Sequence, residues 1–210
     1  HRFDSDILHK KINIMKYSFL IFSILLFFAC NNPIGDKKSG IDSVNEIGNT
    51  SFVNKKFSGN IINYNSDLNP CQTLGKDALA KLYQVSSEEV HVIEGNKSNQ
   101  VCTYRVLFGG NESNLLIGSI AIRPDNPDNE VGTWEERWSI QKVTSKSSEY
   151  LPNMGKAALW KGSKRTLSIK FEGYTLEIYA PGSAINVKEK KKNRDYKSIA
   201  IGMAKAAGFL

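Results

Sequence analysis

VCTYRVLFGGNESNLLIGSIAI, residues 101–122, decides how this chain folds. In Val101–Phe108, the residues Val101, Thr103, Arg105 and Leu107 alternate with Cys102, Tyr104, Val106 and Phe108. The second set is uniformly apolar, so the period of two predicts a strand that turns this set, Cys102 included, toward a core. Gly109-Gly110-Asn111-Glu112 reads as a hairpin loop, and Leu115–Ile122 as the returning strand. Two strands joined by so short a loop pair antiparallel.

Working outward, Thr73 is placed to cap a helix with Leu74, Ala78 and Leu82 on one face, and Val90–Ile93 reads as a strand. Asp125-Asn126-Pro127-Asp128-Asn129 is a turn. Thr133-Trp134-Glu135-Glu136 has the form of a capping box and predicts a helix from Trp134 toward Thr144. The loop Pro152-Asn153-Met154-Gly155 leads into Ala157–Trp160. Strands follow at Thr166–Phe171 and Tyr174–Tyr179, joined at Glu172-Gly173, and Asp195 caps a last helix bearing Tyr196, Ile199, Met203, Ala206 and Leu210 at helical spacing. The order is helix, three strands, helix, three strands, helix. It predicts an α+β domain over residues 69–210, with an antiparallel sheet, helices packed on one face, and two halves of similar layout.

The opposite end of the chain has a different character. Phe19–Ala29 is an apolar run broken only by Ser23, preceded by Lys16 and ending at Ala29-Cys30. The run is too short for a bilayer span of roughly 20 residues, so residues 15–29 read as a secretory signal peptide of the lipoprotein kind. Cys30 is then the residue that carries a palmitate-type acyl anchor, and an ordinary cleaved signal peptide or an uncleaved signal anchor is the alternative. Phe27 departs from the leucine commonest at that point of a lipobox. Residues 1–14, which precede Met15, read as an upstream extension, and residues 30–68, rich in Asn, Ser, Gly and Lys, as a flexible tether. Near the end of the tether, Phe52, Phe57, Ile61, Ile62 and Tyr64 suggest a short edge strand.

The formal charge of the whole chain is +7. Residues 1–29 hold Arg2, Lys10, Lys11 and Lys16 against Asp4 and Asp6, so their removal lowers it to about +5. Much of the excess lies in Lys188-Glu189-Lys190-Lys191-Lys192-Asn193-Arg194, a solvated loop or a contact for anionic lipid or envelope polymer. No aromatic-spaced basic motif is present, and with an exported address nucleic acid is not an expected partner. With Cys30 assigned to lipid, Cys71 and Cys102 remain, and an even pair in an exported protein suggests a disulfide. The alternative, a metal site, fits poorly, because the cysteine spacing is not that of zinc ligands and His91 is the only histidine beyond residue 29.

The search for chemistry finds little. Ser139-Ile140-Gln141-Lys142 has Ser-x-x-Lys spacing without a nucleophile context. Glu135 and Glu136 diverge by about 100° on a helix, so capping suits them better than acid–base pairing. Gly109-Gly110 lacks the strand, glycine loop and helix of a phosphate cradle, and no cofactor is expected. Trp134, Trp138, Trp160 and Tyr174 are candidate ligand-stacking aromatics, with a place in the core as the alternative.

Three segments carry a resemblance. Asn69-Pro70-Cys71-Gln72-Thr73-Leu74, Val101-Cys102-Thr103-Tyr104 and Asn153-Met154-Gly155-Lys156-Ala157-Ala158-Leu159-Trp160 resemble, in order, the motifs of a small bacterial lipoprotein family with an N-P-C start, a Cys-x-Tyr strand and a Gly-x-x-Ala-x-Trp segment. The terminal helix Ser198–Leu210 agrees, and the likeness covers roughly residues 69–210. It implies an extracytoplasmic α+β domain, the cysteine pair Cys71 and Cys102, and no catalytic residues. The combined expectation is a non-enzymatic, membrane-tethered domain of the cell envelope, held through lipidated Cys30 and binding an envelope protein, a lipid or a small ligand. The alternatives are an envelope hydrolase using carboxylates such as Glu135 or Glu172, or a lipid or small-ligand carrier.

Overall fold

The computed structural model describes residues 48–94, 100–110, 115–126, 131–182 and 194–210. The upstream extension, the signal peptide, Cys30, the first part of the tether, residues 111–112 of the hairpin loop, residues 127–129 of the expected turn and residues 188–193 of the basic run lie outside them.

Seven strands form one sheet: β1 Val90–Glu94, β2 Val101–Leu107, β3 Leu115–Pro124, β4 Ser148–Tyr150, β5 Ala157–Lys161, β6 Thr166–Lys170 and β7 Tyr174–Gly182. Their order is β1-β2-β3-β7-β6-β5-β4, and every neighbouring pair is antiparallel. The sheet is thus two meanders fused through their last strands. Around them stand the helices α1 Pro70–Thr73, α2 Lys76–Tyr83, α3 Trp134–Thr144 and α4 Tyr196–Ala206. The fold is α+β, as its sequence pattern predicts.

Alternation sorts the side chains into two faces. Cys102, Tyr104 and Val106 of β2, Leu116, Ile120 and Ile122 of β3, Leu167 and Ile169 of β6, and Leu176 and Ile178 of β7 share one buried core with Leu79 and Tyr83 of α2 and Ile199 and Met203 of α4. In β5, Ala158 and Trp160 join that core, whereas Ala157 and Leu159 pack with Trp138 of α3 in a second, smaller cluster. Adjacent residues of a strand point to opposite faces, so α3 covers the face away from α2 and α4. The expectation that all helices share one face holds for α2 and α4 and not for α3.

Local chemistry explains the elements. In α3, Thr133 Oγ1 accepts from the Glu136 N–H at 3.2 Å while Glu136 Oε2 accepts from the Thr133 N–H at 2.9 Å. Asp195 accepts from the Ser198 N–H at 3.0 Å at the start of α4, and these Ser198 hydrogen bonds hold its carboxyl below the usual range. At the first helix the structure differs from the sequence reading. Asn69, not Thr73, is the cap, accepting from the Cys71 N–H at 2.9 Å. The Thr73 hydroxyl instead donates back to the Pro70 carbonyl at 3.0 Å, and Leu74 turns extended, so the helix restarts at Lys76. Strand β4 has only three residues, Ser-Glu-Tyr, too few to show a period. Strand β7 runs beyond Tyr179 through Pro181, which has no N–H to donate. The register shifts between Ile117 and Ser119, opposite that proline. A side chain at Gly118 would begin 2.4 Å from the Pro181 ring, so only glycine fits there.

Cys71 in α1 and Cys102 in β2 form a disulfide with their Cα atoms 5.0 Å apart. It closes a loop of 31 residues, worth on the order of 3–4 kcal/mol by chain entropy. Replacing both cysteines by alanine should lower the free energy of unfolding in urea by about that amount; a loss under about 1 kcal/mol would show that the bridge does not staple α1 to the sheet. Beside it, the buried Tyr104 hydroxyl donates to the carbonyls of Pro70 and Leu74, each at 3.3 Å. Burial raises its pKa, so its ionisation opposes folding. This contribution to stability is whole below the unfolded tyrosine value of about 10 and falls away as pH rises through the higher folded value. Tyr104→Phe should therefore cost about 1 kcal/mol at neutral pH and flatten the alkaline loss of stability above about pH 10. An unchanged alkaline slope would assign that loss elsewhere, first to Tyr174, whose pKa burial also raises.

Candidate functional site

The sequence reads residues 48–68 as tether, yet they wrap the domain as a strap. Phe57, Ile62, Tyr64 and Leu68 pack against the main core, and Phe52 joins the α3 cluster. No strand forms in this segment, contrary to the edge strand its apolar residues suggest. Side-chain amides hold it instead. The Asn54 N–H donates to the Lys156 carbonyl at 2.8 Å, and Asn54 Nδ2 donates to the Gly155 carbonyl at 3.0 Å. Six residues on, Asn60 Nδ2 donates to the Glu172 carbonyl at 2.9 Å while its Oδ1 accepts from the Glu172 N–H at 3.0 Å. The Tyr174 hydroxyl donates to the Ile62 carbonyl at 2.7 Å.

Beside this segment lies a cavity of about 540 Å³. Its walls are the strap from Asn54 to Ile61, the loop Pro152–Gly155, Phe171, and the chain end from Lys205 to Leu210. The floor is aromatic: Phe57 and Phe171 have ring centroids 6.4 Å apart, and Phe171 lies 6.2 Å from Phe209. Asn153 and Gly155 both take positive φ, 59° and 55°, which folds the loop tightly. At Gly155 an added Cβ would meet the Lys170 carbonyl at 2.6 Å, so only glycine brings the loop this close to β6. Lys56 and Lys205 are the cations of the lining, and no aspartate or glutamate side chain belongs to it.

The aromatic candidates do not come together. Trp160 and Tyr174 are buried in the main core, Trp138 is buried in the second cluster, and Trp134 is half-buried beside it, 5.5 Å from Trp138. Their apolar character belongs to packing. Glu135 lies in the first turn of α3 and Glu172 at the exposed β6–β7 turn, and neither lines the cavity. Ser139 Oγ donates to the Glu136 carbonyl at 2.8 Å and accepts from the Gly48 N–H at 3.1 Å, so it is occupied in structure. Among the described residues, no group of three or more His, Cys, Asp or Glu side chains is placed to hold a metal.

The face under α3 carries a polar feature that alternation alone does not reveal. Lys170, 2% exposed, pairs with Asp125 and lies 5.9 Å from the Trp134 ring centre. Lys161, opposite Ser148 across β4 and β5, has its ammonium pKa lowered by burial, partly offset by Glu177. Ser148 is only 4% exposed, which closes this serine–lysine neighbourhood to a substrate.

No family model matches the chain, and no curated protein or solved structure matches it either.

Among the described residues, the strap cavity offers room and access for a ligand, and the asparagine latches help define its wall. Asn60→Ala should remove two hydrogen bonds, cost about 1–2 kcal/mol locally, and speed amide exchange over residues 57–62 while leaving β2 and β3 protected. Exchange rising equally in the sheet would mean that the strap and the core open together.

Proposed function

We propose that this chain is a bacterial envelope lipoprotein, anchored through an acylated Cys30, whose α+β domain is a non-enzymatic binding module with the strap cavity as its ligand site. The observation that carries the reading is the character of the cavity wall. An apolar floor of about 540 Å³ is in the range of small-ligand pockets, and the lining holds no acidic side chain to serve a carboxylate-based hydrolase. The Cys71–Cys102 bridge supports an exported address, because such bonds persist in oxidising compartments.

The resemblance to the small lipoprotein family supports the same reading, and its motif positions have structural uses here. Asn69, Pro70 and Cys71 supply the cap, first turn and bridge of α1, while Asn153–Gly155 supplies one wall of the cavity. The interior set Trp134, Trp138, Trp160 and Tyr174 is accordingly replaced as the ligand set by the residues of the strap and its facing loop.

Cys30→Ser tests the anchor. Expressed in a bacterial host with radiolabelled palmitate, the parent chain should incorporate label and sediment with membranes. The variant should take up no label and leave the membrane fraction. Undiminished membrane retention of the variant would overturn the lipoprotein reading.

A further inference from the structure

We propose that the strap cavity binds a single-chain amphiphile with an anionic headgroup, of the fatty carboxylate class. This inference rests on the cavity being the ligand site and adds the chemistry of its occupant.

Shape and polarity are arranged along one axis. Phe57, Phe171 and Phe209 form an apolar floor that offers a polar ligand no charged partner. Met154 adds a flexible, polarisable wall that adapts to a hydrocarbon chain. Ile61 carries the apolar lining out to solvent: it is 69% exposed and it lines the cavity. A hydrocarbon seated there covers Ile61 as well as itself, which supplies the driving force for binding.

Charge selects the other end of the ligand. Lys56 on the strap and Lys205 on α4 are both exposed and both line the cavity. Neither ammonium has a hydrogen-bond or ion-pair partner among the described residues, and no acidic side chain of the lining offsets them. Two lysine cations beside an apolar trough make a site complementary to an anion attached to an apolar tail. An uncharged or cationic amphiphile gains the same burial without the attraction, so the lysines provide selectivity and the floor provides affinity.

The test uses the full chain in nanodiscs of zwitterionic phosphatidylcholine, with empty nanodiscs subtracted to remove partitioning of the probe into lipid. An undecanoate carrying a dansyl group at its far end is titrated by fluorescence, and the matching undecanol is titrated beside it. We expect saturable binding of the carboxylate, at least tenfold tighter than the alcohol and weakened by high salt. The Lys56→Gln/Lys205→Gln double variant, which alters only exposed side chains, should lose most of that preference while still binding the alcohol. Met154→Trp, which narrows the cavity, should weaken saturable binding of both probes. Equal affinity for acid and alcohol would overturn the anionic selectivity and leave the cavity as the site of an uncharged ligand. Saturable binding undiminished in Met154→Trp, with folding verified by circular dichroism, would overturn the cavity itself as the ligand site. Absence of saturable binding for either probe would overturn the amphiphile assignment, while the anchor at Cys30 would still be decided by palmitate labelling.

Discussion

The pairing of β3 with β7 is the constraint on which the rest of the molecule depends. Each meander alone is a small sheet with one apolar face and an unsatisfied edge, a marginal object in water. Joining them through their last strands places Ile120 opposite Ile178 and Ile122 opposite Leu176 at the centre of a seven-stranded sheet. That joint makes one continuous apolar face wide enough for α2 and α4 to lie on together. Its price is local: Pro181 cannot donate to the ladder, and Gly118 must remain without a side chain to admit it. The Tyr83 hydroxyl, from α2, donates to the Pro181 carbonyl at 2.5 Å, so the irregular end of the joint is also where a helix is fastened to the sheet.

How much of this was legible follows from which physical signals have a period. Strands β2, β3, β6 and β7 and helices α3 and α4 announce themselves because alternation or helical spacing repeats over five to eleven residues with a cap or turn at the boundary. The pairing of β3 with β7 is a contact between segments about sixty residues apart, and no local pattern encodes it. The start of α1 is ambiguous in the sequence because Asn69 and Thr73 are both capping residues, and in the structure Asn69 takes the cap. The face taken by α3 depends on the parity of β5, where four successive apolar residues, Ala157–Trp160, conceal any alternation.

The candidate site was less legible than the fold, for a reason that lies in its chemistry. The strap is fixed by asparagine side chains that bond to backbone groups of distant loops, Asn54 to Gly155 and Asn60 to Glu172. Asparagine in a stretch with serine, glycine and lysine has the composition of a solvated linker, since the same amide that latches a strap also favours turns in free chain. Only Phe52, Phe57, Ile61, Ile62 and Tyr64, apolar residues without a period, hint that the segment has something to cover. Large aromatics serve both cores and binding sites; here burial assigns Trp138 and Trp160 to cores, and Trp134 packs half-buried beside Trp138.

The position of the strap has a mechanical consequence. The wall of the cavity belongs to the same stretch of chain that runs back toward Cys30, with Asn54 twenty-four positions after the cysteine. Any pull from the preceding chain meets the Gly48 bond to Ser139, the packing of Phe52 and then the Asn54 bonds to Gly155 and Lys156 before it reaches the floor of the cavity. The contacts at the start of the strap thus bear the load first, while the Asn60–Glu172 pair and the Tyr174 bond to Ile62 keep its far end in place. A force on the preceding chain is taken up by a packed, hydrogen-bonded clamp at residues 48–54, ahead of Phe57 and the rest of the apolar floor.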